Sequence, residues 1–326
     1  MSISQAKAPR VASQRPFRMI KGVSVLADLA DGAGAYGYPG DYPGRIYYVN
    51  NITGDDSYDG LSWDTPFDEV STAITASETF RALPSGSTND YVRNIIFVQG
   101  TGTAYSSVTS LPSYCDIIGI GADCFGNGAG IARIGADAGA YDGVDSTVAA
   151  RGVNFYNIQF QAGNGCYAFR GTNLFRSNFV HCCFATNGVP GGTPAAGVDL
   201  DIASGVNWYD CLWNNQSSLD VQFTVGMTIT GTHFHGCKVE GCFIGGDTGV
   251  KIGSTVVNSW GSWFKDCYIG QLSETCGIAV DDDSTTGHII YQNCAVQGTA
   301  GFDVENNDDR VVNCYEDGAL ITDPSP

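Results

Sequence analysis

Seven hexapeptides recur through the second half of the chain: FYNIQF (155–160), FVHCCF (179–184), WYDCLW (208–213), FHGCKV (234–239), FKDCYI (264–269), YQNCAV (291–296) and VVNCYE (311–316). Their first position is aromatic in six of the seven, the third is Asn, His, Asp or Gly, and the fourth is Ile once and Cys six times. Successive fourth positions, Ile158, Cys182, Cys211, Cys237, Cys267, Cys294 and Cys314, lie 24, 29, 26, 30, 27 and 20 residues apart. A repeat of that length is one coil of a solenoid.

The grammar has a backbone cause. Positions four and six share parity and point the same way from a strand, whereas position one has opposite parity and faces inward only if the chain bends between them. Position three is therefore the bend, because Asn, Asp, His and Gly tolerate left-handed backbone angles best. A second inward register follows each hexapeptide, at Cys166/Ala168, Val198/Leu200, Leu219/Val221, Val250/Ile252, Ile278/Val280 and Phe302/Val304. With variable segments such as 228–230, these strands predict a three-faced, all-β, single-stranded parallel β-helix over residues 93–316. The fourth-position Cys residues are expected to stack inside as buried thiols. No CxxC pair exists to suggest zinc, and no metal or cofactor is expected.

A solenoid needs its apolar end covered. Residues 65–81 predict a short capping helix, with Thr65 as N-cap, Pro66 at the first helical position, and Phe67, Val70, Ala73, Ile74 and Ser77 on one face. The segment before it, IYYVNNITGDDSYDGLSWDTPF, together with the coils, resembles the right-handed β-helix proteins of the pectate-lyase-like superfamily, phage tailspikes among them. That resemblance implies a fold and leaves the activity open. Asp55, Asp56 and Asp59 read as a turn, since Pro66 stands where a calcium loop needs its Glu.

Residues 1–44 read as a separate basic arm and Gly/Tyr/Pro linker, residues 45–92 as strand, acidic loop and helix, and residues 317–326 as a polar tail too short to cover the last coil. Lys7, Arg10, Arg15, Arg18 and Lys21 all precede the first acidic residue, Asp28, while the whole chain carries a formal charge of −18. The body is thus strongly acidic, which disfavours nucleic acid, and the arm is expected to anchor the chain to a partner. No apolar stretch suggests a leader or a membrane span, so synthesis in a host cytoplasm is expected.

For chemistry, the best local candidates are Asp281, Asp282 and Asp283 with His288 behind them. Polygalacturonase-like hydrolases carry an Asp pair followed by Gly-His-Gly and Arg-Ile-Lys segments on later coils. Here Gly287 and His288 run into Ile289 and no Arg-Ile-Lys follows, so the acidic run is expected to be a solvated turn. Lys238, Lys251 and Lys265 read as different registers, with no Arg stacked on an acidic cluster. His181 is expected at a corner. Residues 187–194, 245–248 and 271–275 lengthen three coils at one corner and are candidates for a binding surface. The resulting expectation is a non-enzymatic virion surface protein of a tailed bacteriophage, a homotrimer bound to other virion proteins in capsid or tail, with a host surface glycan as a further ligand. A glycan lyase or hydrolase and a bacterial adhesin remain open alternatives.

Overall fold

The computed structural model describes residues 43–82, 92–126, 128–135, 140–186, 194–215, 222–270, 276–304, 308–316 and 318–321. Among these the chain winds as a right-handed parallel β-helix. Three sheets, of ten, nine and eight strands, form its faces. The first face runs from Pro43–Val49 to Arg310–Val312, the second from Arg133–Ile134 to Ala319–Ile321, and the third from Val144–Ser146 to Ala300–Val304.

Hexapeptide positions one and six supply the interior. Phe155, Phe179 and Trp208 stack on the first face with centroids 5.0 and 5.6 Å apart. Phe160, Phe184 and Trp213 stack on the second face at 5.4 and 4.6 Å. Between them the chain turns through a single left-handed residue: Asn157, His181, Asp210, Asp266, Asn293 and Asn313 all have φ between 50° and 54°. The buried residue after each turn is the ladder position, and the thiols there donate to carbonyls of the preceding coil. Cys211 Sγ reaches Phe179 O at 3.5 Å, Cys267 Sγ reaches Val239 O at 3.4 Å, and Cys294 Sγ reaches Phe264 O at 3.5 Å.

One coil is registered differently from the sequence expectation. Trp208 pairs with Val239, and Val239 with Phe264, so the hexapeptide of that coil is VEGCFI (239–244) and its corner is Gly241. Cys242 occupies the ladder. Cys237 instead follows Gly236 at the preceding corner, where Val153, Ser177, Val206 and Ser262 are its buried counterparts. Both corners use a left-handed residue followed by a small buried one, which is why FHGCKV imitates the motif.

The third face also shifts three expected registers. Its inward columns read Phe169, Val198, Met227, Val250, Val280, Phe302 and Gly171, Leu200, Ile229, Ile252, Asp282, Val304. Phe169 and Gly171 thus replace Cys166/Ala168, and Met227 and Ile229 replace Leu219/Val221; residues 216–221 lie outside the described residues. Ile278 lies on neither inward column, and Asp282 enters the interior.

The helix, α1, is Val70–Arg81, shorter than expected. Pro66 and Phe67 are held extended because Phe67 donates its N–H to Tyr48 O at 2.9 Å and bridges Val49. Thr65 therefore caps nothing. Asp56 Oδ1 instead accepts the N–H groups of Asp68 and Glu69 at 3.0 and 3.1 Å, tying the acidic loop to the entry of the helix, whose N-cap is Glu69. Val70, Ala73, Ile74 and Ser77 face the core as predicted, joined by Arg81. Asn94 Nδ2 ties Ser77 O to the sheet at 3.1 Å. At the far end, Ala319–Ile321 folds back antiparallel on Cys314–Glu316, so part of the expected tail covers one face of the last coil.

Candidate functional site

Residues alternate across each strand, so every inward column has an outward neighbour. On the third face that neighbour is charged in all coils but one: Asp145, Arg170, Asp199, Thr228, Lys251, Asp281 and Asp303 stand in line, one per coil, with Thr228 the neutral member. This corrects the expectation that no Arg is stacked on carboxylates, while Lys238, Lys251 and Lys265 do occupy different registers. The column was hidden in the sequence because its members are single residues flanked by core positions, and only the right register aligns them.

Its charges are mostly paired. Arg170 grips Asp145 bidentately, Nε to Oδ1 at 2.8 Å and Nη2 to Oδ2 at 2.7 Å, and its guanidinium lies 4.5 Å from the Tyr167 ring. The Asp145 carboxylate holds the guanidinium firmly protonated. Lys251 Nζ bonds Asp281 Oδ2, and Asp281 and Asp283 both hold the ammonium charged. Asp199 differs. Its carboxyl is half-buried, its Oδ1 has no hydrogen-bond partner, and burial pushes it above the usual carboxylate range although Arg170 pulls the other way.

The expected catalytic trio does not converge. Asp281 faces outward onto Lys251, whereas Asp282 is fully buried, accepting from Tyr291 Oη at 2.8 Å and from the Ser284 N–H at 3.1 Å. Neighbours on a strand point to opposite faces, so Asp281 and Asp282 cannot work as a carboxylate pair across one substrate. The solvated turn expected there is instead, at Asp282, a core position. Asp283 is half-buried, and its N–H completes the ladder to Ile252 O at 2.9 Å. His288 Nδ1 lies 2.8 Å from Asp308 O and its ring packs edge-on to Trp260.

Lys7, Arg10, Arg15, Arg18 and Lys21 lie outside the described residues, as do 187–193 and 271–275 of the expected binding loops. Residues 245–248 are described, and burial raises the Asp247 carboxyl there. A shallow hollow of about 670 Å³ lies beside α1, between Arg45, Asp59, Thr72, Thr75 and Phe80. It is remote from the charged column and holds no acid–base pair. On the first face an outward ladder runs from Arg93 through Asp116 to Asn154, Asn178 and Asn207, the amides linked at 2.7–2.9 Å. Among the described residues no helix is long and apolar enough to cross a membrane.

No family model and no curated protein sequence matches the chain. Among solved structures, the chain is similar to pectate lyase Pel9A, at 14% identity and a TM-score of 0.53 over 86% of this chain and 74% of that one. It also aligns with the deglycosylated pectin methylesterase from Aspergillus niger, at 14% identity and a TM-score of 0.49 over 86% of this chain and 88% of that one. Pectin methylesterase PemA from Erwinia chrysanthemi aligns at 10% identity and a TM-score of 0.47, over 85% of this chain and 90% of that one. At such identities the likeness to Pel9A establishes the fold alone.

Proposed function

We propose that this chain is a non-enzymatic virion surface protein of a tailed bacteriophage, a capsid decoration protein or short tailspike. It is held to other virion proteins by the basic arm and presents its β-helix outward, as a homotrimer. The observation that carries this reading is how the strand-borne carboxylates are spent. Asp145 is committed to Arg170, Asp281 to Lys251 and Asp282 to Tyr291, which leaves a rigid, patterned face better suited to binding a glycan than to cleaving one. Five cations ahead of an acidic body supply a ready attachment to an acidic protein lattice.

The test is sedimentation of assembled particles from an infected-cell lysate, with immunodetection of the chain. The chain is expected to travel with the particles, and to remain in the supernatant when Lys7, Arg10, Arg15, Arg18 and Lys21 are all replaced by Gln. A chain absent from every particle fraction defeats the proposal.

One observation favours a second reading, a glycan-acting enzyme. Asp199 offers a half-buried carboxyl, raised above the usual range by burial, paired in register with Arg170, an arrangement suited to general acid catalysis. Release of reducing sugar from host surface polysaccharide by the wild-type chain, lost in Asp199→Asn, would place this reading first.

A further inference from the structure

At the corner between the first and second faces, most coils turn with one left-handed residue and one small buried residue. Between Cys115–Ile120 and Arg133–Ile134 the chain instead makes a long excursion. The excursion is docked across the neighbouring coil. Asn157 accepts the Cys124 N–H at 3.0 Å on Oδ1 and donates from Nδ2 to Gly119 O and Ala122 O, both at 3.2 Å. Gln159 Nε2 donates to Cys124 O at 2.8 Å. The loop thereby reaches the corner of the coil beyond, where Cys124 Sγ lies 2.9 Å from His181 O.

Three donors of different chemistry meet there. The thiol of Cys124, the imidazole of His181 and the carboxylate of Asp123 all lie within 4.8 Å of one another, with His181 Nε2 3.1 Å from Asp123 Oδ1. Each is held by a neighbour. The Phe125 ring packs 4.2 Å from the imidazole, and the Phe125 N–H donates to Asp123 Oδ1 at 2.9 Å. The thiol forms a fully buried floor, packed in one apolar group with Ile131, Cys183 and Ala185. The carboxylate and imidazole form the rim, with side chains 64% and 31% exposed, so an ion has a way in from solvent.

The residue type at the corner also calls for an explanation. Asn157, Asp210, Gly241, Asp266, Asn293 and Asn313 meet the same backbone demand elsewhere in the ladder, and none carries a ring. Imidazole adds nothing to the turn that Asn lacks. It does add a metal-binding nitrogen, and it stands where the excursion delivers a thiol and a carboxylate.

We propose that Asp123, Cys124 and His181 form a binding site for one borderline-soft divalent cation, by chemistry Zn²⁺. Thiolate, imidazole and carboxylate together are a zinc donor set, whereas calcium and magnesium take oxygen ligands. Three protein ligands leave the fourth tetrahedral position to water on the solvent side. Binding exchanges the Cys124 S–H bond for an S–Zn bond and releases one proton to solvent, with no change of oxidation state. The ion would pin the excursion to the coil two turns on.

The experiment titrates the reduced full-length chain with Zn²⁺ by calorimetry and with Co²⁺ by absorbance, alongside Cys124→Ser and His181→Asn. His181→Asn keeps a residue suited to the left-handed corner, and far-ultraviolet circular dichroism verifies that its fold is retained. The wild-type chain is expected to take up one equivalent, to show a thiolate-to-Co²⁺ charge-transfer band, and to melt at a higher temperature with Zn²⁺. Each variant should lose the band, and should lose affinity by more than the roughly 10–100-fold that removing a mere supporting residue costs. The proposal is overturned if the wild-type chain shows no such band, or if His181→Asn binds Zn²⁺ as tightly as wild type.

Discussion

Asp282 and Asp309 are both buried inside the last coils, close enough that a charge on Asp282 disfavours ionisation of Asp309. Their neighbours treat the two carboxyls differently. Asp282 accepts from Tyr291 Oη and the Ser284 N–H, as an ionised group would. Asp309 accepts the Ile289 N–H on Oδ1 at 2.6 Å, but no donor reaches its buried Oδ2. Burial raises both acids, and the Asp282 charge helps push Asp309 up to about 8.

A pH dependence of stability follows. An acid raised from 3.8 to about 8 on folding holds a proton in the native state that the unfolded chain releases between those values. Stability is therefore greatest below the lower value and falls as pH rises through the window. A tenfold change in proton affinity is worth ~1.4 kcal/mol, so half of the displacement amounts to roughly 3 kcal/mol. Urea unfolding of wild type and Asp309→Asn from pH 4 to pH 8.5 should show the slope markedly flattened in the variant. Equal slopes would sink the assignment.

Thiol reactivity should be almost silent in the native protein. None of the twelve cysteines is in a disulfide, and Cys166 alone is not buried. Burial pushes the Cys237 and Cys276 thiols up to about 12 and 11 and raises the ladder thiols Cys211 and Cys242. Neighbouring ladder thiols lower Cys267, and lower Cys314 to about 7, but both are buried, so access rather than acidity keeps them silent. Ellman's reagent should report one fast-reacting thiol, lost in Cys166→Ser, and all twelve in guanidinium. Several fast thiols in the native state would mean that the ladder opens readily.

Corner positions should discriminate by backbone rather than by chemistry. Asp210 sits at φ 50°, where a β-branched residue is strained by ~1–3 kcal/mol. Asp210→Val should lower the urea midpoint accordingly, while Asp210→Gly changes it little. The reverse order would refute the left-handed corner.

The aromatic stack on the second face should be the costliest place to make a hole. Phe184 is fully buried between Phe160 and Trp213. Phe184→Ala is expected to cost ~3–5 kcal/mol by chemical denaturation, against under ~1.5 kcal/mol for a volume-conserving swap such as Ile244→Leu on the same face.

The coils were legible because a left-handed corner admits few residue types and an inward stack admits few others; together these fixed most of the ladder without coordinates. Cys237 imitates Cys242 because a second corner obeys the same rule five residues before the true one. Asp282 was hidden for a different reason. Three consecutive acids look solvated, and only the pairing of Ile252 with Asp282 reveals that the middle one points inward. The Asp145 to Asp303 column and the junction of Asp123 with His181 depend on which residues stack across coils. That is a property of register and of one loop's path, and no local pattern carries it.

Ala319–Ile321, reversed on Cys314–Glu316, bears on assembly as well as on covering the core. Every other strand of that face offers the next coil a parallel edge, and this one offers the opposite polarity. A second molecule trying to continue the winding from this end would find one of its three faces out of phase. The fold-back thus turns an edge that would template a further parallel strand into one of opposite sense, a way of blunting that edge.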